Sequence, residues 1–323
     1  MRRRFTTNKG LTKTFDVNNY LTIEALEDNL TLIFTHDIEY GIDGKGWIKL
    51  KSGYKTQTIN IGQTLSFKGN LTPNSSSGIG TFTITKKCNL KGNIMSLLYG
   101  DDFIEQIDLT GKDYAFCYLF SDCTTIVDVS ELLLPATKLA YYCYSDMFRG
   151  CSSLTTAPAL PAKTLADSCY SHMFYGCTSL TTAPELPATT LEFTCYFHMF
   201  YGCTNLTTAP ALPATTLASD CYSHMFQDCT SLTTAPELPA TTLASSCYSY
   251  MFYGCSKLNY IKMLATDISA SSCLYYWVNG VASSGTFVKN VAMTSLPTAD
   301  SNNSYYGIPK GWTVEDYSPS GGG

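Results

Sequence analysis

The chain has 323 residues, 45% of them hydrophobic and 15% charged, with a net charge of −5. That is too apolar for a disordered protein and too long for one ordinary compact domain, so the chain divides into domains or extends as an array. Fourteen cysteines would suit the disulfide framework of a small exported protein, but the basic start Met1-Arg2-Arg3-Arg4 is followed by a polar stretch without a signal-peptide apolar run, and no export signal is expected.

Taken in chain order, residues 1–19 read as a basic, flexible leader. Residues 1–92 hold thirteen Lys/Arg against seven Asp/Glu, whereas residues 93–142 hold two against eight. Three terminal arginines without interleaved aromatics do not make a nucleic-acid surface, and no nucleic-acid partner is expected. No bilayer-length window of about 18 residues is free of polar side chains, so no membrane insertion is expected either.

Residues 20–92 carry short β-rich runs at 30–34, 47–50, 58–61, 64–67 and 81–84, bounded by Gly, Asn and Asp. Asp43-Gly44-Lys45-Gly46 is a hairpin signal. An N-terminal all-β, sandwich-like domain is expected there. Residues 93–112, apolar and then acidic, are expected to be a junction and N-terminal cap.

A strict repeat follows. Cys143, Cys169, Cys195, Cys221, Cys247 and Cys273 recur every 26 residues, and Cys151, Cys177, Cys203, Cys229 and Cys255 keep the same period. Met147, Met173, Met199, Met225 and Met251 form a ladder, and Phe148, Phe174, Phe200, Phe226 and Phe252 form the next. Leu154, Leu180, Leu206, Leu232 and Leu258 form a third, and Leu139, Leu165, Leu191, Leu217 and Leu243 a fourth. About eight core side chains per unit, worth roughly 2 kcal/mol each on burial, cannot offset ordering 26 residues at about 1.5 kcal/mol each. One unit therefore cannot fold alone, and residues 113–281 are expected to stack as a solenoid of about seven coils. Apolar residues at Cys169, Met173, Phe174 and Cys177 predict a short helix with Tyr170, Ser171 and Tyr175 turned outward. Leu180-Thr181-Thr182-Ala183, stopped by Pro184, predicts a brief strand.

Residues 282–323 are expected to close the array, with strands at 285–289 and 311–314 and a flexible tail from Ser318.

Chemistry for catalysis is sparse. There is no Gly-x-Ser-x-Gly elbow, Walker loop or His-Glu-x-x-His motif, and no catalytic residue and no cofactor are expected. With no Cys-x-x-Cys pair there is no zinc signal; the repeat cysteines are expected to be buried reduced thiols. His172, His198 and His224 share one repeat position and should lie in a row. Such a row suits a metal only at the cost of stacking three imidazoles, and reads first as a partly exposed face, so no metal is expected. Tyr144, Tyr170, Tyr196, Tyr222 and Tyr248 make one stripe, and Tyr175, Tyr201 and Tyr253 part of a second. Exposed tyrosine rows supply rigid amphipathic area for a protein or a sugar, although rings in this pattern also serve simply to cover a face. The three histidines and these eight tyrosines are the candidate ligand-binding residues. The residue pairs before each first cysteine, such as Asp167-Ser168 and Phe193-Thr194, vary most.

Met173-Phe174-Tyr175-Gly176-Cys177-Thr178-Ser179-Leu180, and its copy from Met199 to Leu206 with Asn205 for Ser, resembles the Ala-Phe-x-Gly-Cys-x-x-Leu core of the BspA-like leucine-rich repeats. The resemblance spans residues 113–281, and departs from the family in its 26-residue period and in Met for Ala. It implies a leucine-rich repeat solenoid of short parallel strands and short convex helices or turns, in proteins similar to the surface adhesins of gut and oral bacteria and to arrays in phages of Bacteroidales. The expectation that follows is a non-enzymatic virion component, of tail or fibre, that binds a host-surface glycan or protein. Its N-terminal region would dock on other virion proteins, and a homo-oligomer such as a trimer would add avidity. A bacterial cell-surface adhesin is the alternative, and a glycan-acting enzyme the remote one.

Overall fold

Short strands and successive tight turns make up nearly all of the computed structural model, which describes residues 2–6, 12–16, 19–74 and 78–318. Strands β1 (Arg2–Thr6) and β2 (Thr12–Asp16) pair antiparallel, so part of the segment read as a leader is paired; residues 1, 7–11 and 17–18 of that reading, and 319–323 of the expected tail, lie outside the described residues.

The β domain contains β3 (Leu21–Ala25), β4 (Leu32–Phe34), β5 (Ile38–Ile42), β6 (Lys45–Leu50), β7 (Thr64–Lys68), β8 (Phe82–Ile84) and β9 (Cys88–Asn93). A short α1 (Ser96–Tyr99) follows, and then β10 (Ile126–Leu133). β10, β9, β3, β7, β5 and β6 lie side by side in one six-stranded sheet, and β4 and β8 form a separate pair. The β5–β6 hairpin turns at Asp43 and Gly44 with φ of 48° and 69°, the two positive values that a type I′ turn demands and that Asp-Gly supplies at little cost. Phe82 meets its cross-strand partner Phe34 at 4.4 Å and Phe67 of β7 at 5.3 Å between ring centres, which joins the β4–β8 pair to the larger sheet. The run at 58–61 makes no strand; it contributes one bridge, Leu30 to Ile59.

β10 belongs to the first repeat but pairs parallel with β9, so the sheet continues into the array. The core does likewise. Phe82 stacks on Phe120, and the stack continues through Phe148, Phe174, Phe200, Phe226 and Phe252 at 5.3–5.9 Å with planes within 13°. It ends on Trp277, whose indole N–H donates to Gly307 O at 2.8 Å.

The expected convex helix is absent: residues 113–281, all described, contain none. In its place lies a ribbon of reverse turns. Cys169, Ser171, Met173, Tyr175 and Cys177 each donate N–H to the carbonyl three residues back, at 3.0–3.2 Å. The alternate amides, of Ser168, Tyr170, His172, Phe174 and Gly176, donate instead to Phe193, Cys195, Phe197, Met199 and Tyr201 of the next repeat, at 2.7–3.0 Å. Every fourth residue, here Ser168, His172 and Gly176, has φ of 55–70°, the left-handed residue of a type II turn. An α-helix would spend its amides internally and leave successive repeats unpaired. The ribbon spends half of them between repeats.

Its side chains follow a two-in, two-out order. Cys169, Tyr170, Met173, Phe174 and Cys177 point inward, and His172 and Tyr175 are half-buried. This corrects the orientation expected for Tyr170, which is 1% exposed; Ser171 keeps its outer place but is only 4% exposed. The expected strand at 180–183 shrinks to a single parallel bridge, Thr182 to Thr208, because Pro184 removes the next donor.

All fourteen cysteines are free and buried. The second thiol of each unit donates to a phenylalanine carbonyl of the unit before, as Cys177 to Phe148 and Cys203 to Phe174, both at 3.1 Å.

At the far end β11 (Tyr260–Met263), β12 (Thr286–Asn290) and β15 (Thr313–Tyr317) make a parallel sheet, with β13 (Thr298–Ala299) and β14 (Ile308–Pro309) paired beside it. Both strands read from the C-terminal sequence are present. Trp312 is buried and donates its indole N–H to Ala282 O at 2.7 Å.

Candidate functional site

The outer side of the turn ribbon is where repeat positions differ in kind. Three rows run along it from unit to unit. Asp146, His172, His198, His224, Tyr250 and Tyr276 make the first, and every member has φ between 51° and 57°. Aspartate and histidine tolerate this region better than most residues. Arg149, Tyr175, Tyr201, Gln227 and Tyr253 make the second, and Ser171, Phe197, Ser223, Ser249 and Tyr275 the third.

The histidines stand close together. Ring centres of His172 and His198 are 4.8 Å apart, and of His198 and His224 4.3 Å. Phe197 stacks on His198 at 4.1 Å and meets His172 and His224 edge-on at 5.4 and 5.7 Å. His224 stacks on Tyr250 at 4.5 Å. Burial disfavours the charged imidazolium, so all three are held below the usual histidine range, His198 down to about 3. The row is neutral near pH 7. Asp146 closes one end, 4% exposed, and takes bonds from Ser145 Oγ at 2.7 Å and Arg149 at 3.4 Å.

The predicted tyrosines separate into two groups. Tyr144, Tyr170, Tyr196, Tyr222 and Tyr248 are at most 2% exposed and form a second internal stack, with ring centres 5.7–6.1 Å apart. They offer no surface to a ligand, which corrects the exposed stripe expected of them; burial also pushes their phenols well above the usual range. Tyr175 and Tyr201 do reach the surface, but they stack on each other at 4.6 Å with planes 1° apart, and the Arg149 guanidinium covers Tyr175 at 5.2 Å. Rings so stacked present edges and hydroxyls, leaving few open faces for a pyranose. Tyr253 stands two units further on, beside Tyr250 at 5.6 Å.

Residues 167–279 match a family described as BspA type leucine rich repeat region, in six copies. This segment is similar to the BspA-type leucine-rich repeats. No curated protein and no solved structure matches the chain.

Two residues stand out on the array. Phe193 is 50% exposed where other units have Asp167, Ser219 or Ser245, and Phe197 replaces the serine of Ser171, Ser223 and Ser249. The pair Phe193-Thr194 reads from sequence as variable, but Phe197 escapes notice. Its signal was a break in regularity: a large aromatic where the units on either side carry Ser171 and Ser223. Aromatic clusters also mark both ends of the ribbon, with Tyr114, Tyr141 and Tyr142 at 4.4–5.5 Å on one side and Tyr250, Tyr275 and Tyr276 at 4.7–5.5 Å on the other.

Proposed function

We propose that this chain is a non-enzymatic adhesion protein of a phage particle, in which the β domain docks on other virion proteins and the solenoid presents its turn ribbon to a host-surface glycan or protein. The observation that carries the binding role is the distribution of variation: invariant ladders lie inside, while the outward rows change from unit to unit and bring Phe193 and Phe197 out beside the histidine row. BspA-type repeats are typically non-catalytic binding modules, which supports the same reading. The unbroken core from Phe82 to Trp277 supports a stiff spacer between the docking and presenting ends.

The virion placement rests on the thiols. Fourteen buried, reduced cysteines suit folding in a reducing compartment, where particles assemble, better than the oxidising route of an exported adhesin. Fractionation tests it: the chain should copurify with particles through a density gradient, and loss of residues 1–92 should abolish incorporation. Antibody labelling of intact uninfected cells would overturn the virion reading in favour of a bacterial surface adhesin.

A further inference from the structure

The histidine row holds a chemical feature that ligand presentation does not use. Both ring nitrogens of His198 are buried without a hydrogen-bond partner among the described residues. A buried polar atom left bare costs about 1–3 kcal/mol and calls for an occupant. Each of its neighbours has one ring nitrogen held by an oxygen. His224 Nδ1 lies 2.6 Å from Gln227 Oε1, an oxygen that only accepts, so Nδ1 carries the proton and Nε2 the lone pair. His172 Nδ1 lies 2.8 Å from Ser171 Oγ, a contact in which either atom can donate; with the serine proton on Phe197 O at 3.4 Å, Nδ1 carries the imidazole proton and Nε2 the lone pair. An outer N–H held by an oxygen acceptor, with the other nitrogen bare, is how metal-binding imidazoles are oriented.

We propose that His198 and a flanking imidazole, His172 or His224, chelate one divalent transition-metal cation of the Cu2+, Ni2+ and Zn2+ class. A cation taking two imidazoles in adjacent positions, each nitrogen at about 2.0–2.1 Å, sets their ring centres roughly 4.5–5 Å apart. The observed 4.8 and 4.3 Å are close to that separation before any ring turns. Imidazole donors select this class of ion over Mg2+ and Ca2+. No three His, Cys, Asp or Glu side chains among the described residues converge on one point, so the two imidazoles are the protein's share of the coordination.

Ni2+ is the probe, because it does not oxidise thiols. Isothermal titration of the full chain at pH 7.5 should show one ion per chain, and X-ray absorption of the loaded protein should show two imidazoles. His198→Tyr installs the residue that Tyr250 and Tyr276 already place in this row with the same backbone, so the variant folds; it should weaken Ni2+ by more than about tenfold. Unchanged affinity in folded His198→Tyr, or no uptake by the wild-type chain, would overturn the site.

Discussion

Tyr196 shows what the repeat demands of a single side chain. Its ring is fully enclosed between Tyr170 and Tyr222, yet its hydroxyl has no partner among the described residues, as is also true of Tyr144 and Tyr248. The stack itself needs only the ring, since Phe116 fills the equivalent place in the first repeat and stacks on Tyr144 at 5.5 Å. Tyr196→Phe should therefore leave stability unchanged or raise it by about 1 kcal/mol, because it removes an unsatisfied group. Urea unfolding checks this, and a loss above about 1 kcal/mol would mean the hydroxyl is bonded. His198 yields a second prediction. Its native pKa, about 3, lies below the unfolded value, so below about pH 6.5 the unfolded chain binds more protons. The contribution is complete above pH 6.5 and declines as pH falls toward 3, with His172 and His224 adding in the same direction. Midpoints in urea should fall on acidification across that window, and His198→Tyr should flatten the slope.

At the scale of the element, the ribbon rests on a left-handed residue every four positions. Gly202 is one, with φ of 68°, and a Cβ there would meet only Gly176 Cα at 3.9 Å. The cost of Gly202→Ala is then conformational, about 1–2 kcal/mol. Gly202→Asp should cost more, because a carboxylate in this place lies where the next unit's Cβ would stand, as that of Asp228 does at Gly254, and the residue that follows Gly202 in the row is Asp228, which has a Cβ. Thermal melts should place Gly202→Asp below Gly202→Ala, and equal melting points would count against this stacking of the row. This element also shows what the sequence could and could not convey. The spacing of Cys169, Met173, Phe174 and Cys177 fits a 3.6-residue period and a four-residue period alike, and only Tyr170 separates them. Tyr170 recurs as strictly as Met173, a mark of the core, but the helical spacing assigned it an outward place. The ladders, the hairpin at Asp43-Gly44 and the two C-terminal strands were legible because local chemistry fixes them. The strands β3, β5 and β9 were not, being set by long-range pairing within the sheet. The row of His172, His198 and His224 was legible from the period alone, whereas the crowding around it by Phe197 was not, because that depends on the turn that brings residue 197 beside 172 and 224.

The whole molecule is a nearest-neighbour chain in which each repeat bonds to the next, closed by Phe82 at one end and Trp277 at the other. Excising residues 195–220, one whole period, rejoins equivalent positions and should yield a folded, shorter array with a proportionally smaller urea m-value, whereas excising half a period should prevent folding. Circular dichroism and equilibrium unfolding distinguish these outcomes. The central claim concerns the outer face of this array. Phe193→Ser/Phe197→Ser gives one unit the residues its neighbours carry at Ser219 and Ser223 and so leaves the core intact. The most direct test is binding of wild type and this variant to an array of host-surface glycans and envelope proteins. Binding of one ligand class, reduced at least about tenfold in the folded variant, a loss of some 1.4 kcal/mol, is the predicted result; equal binding by both chains, or turnover of an arrayed glycan, would contradict it.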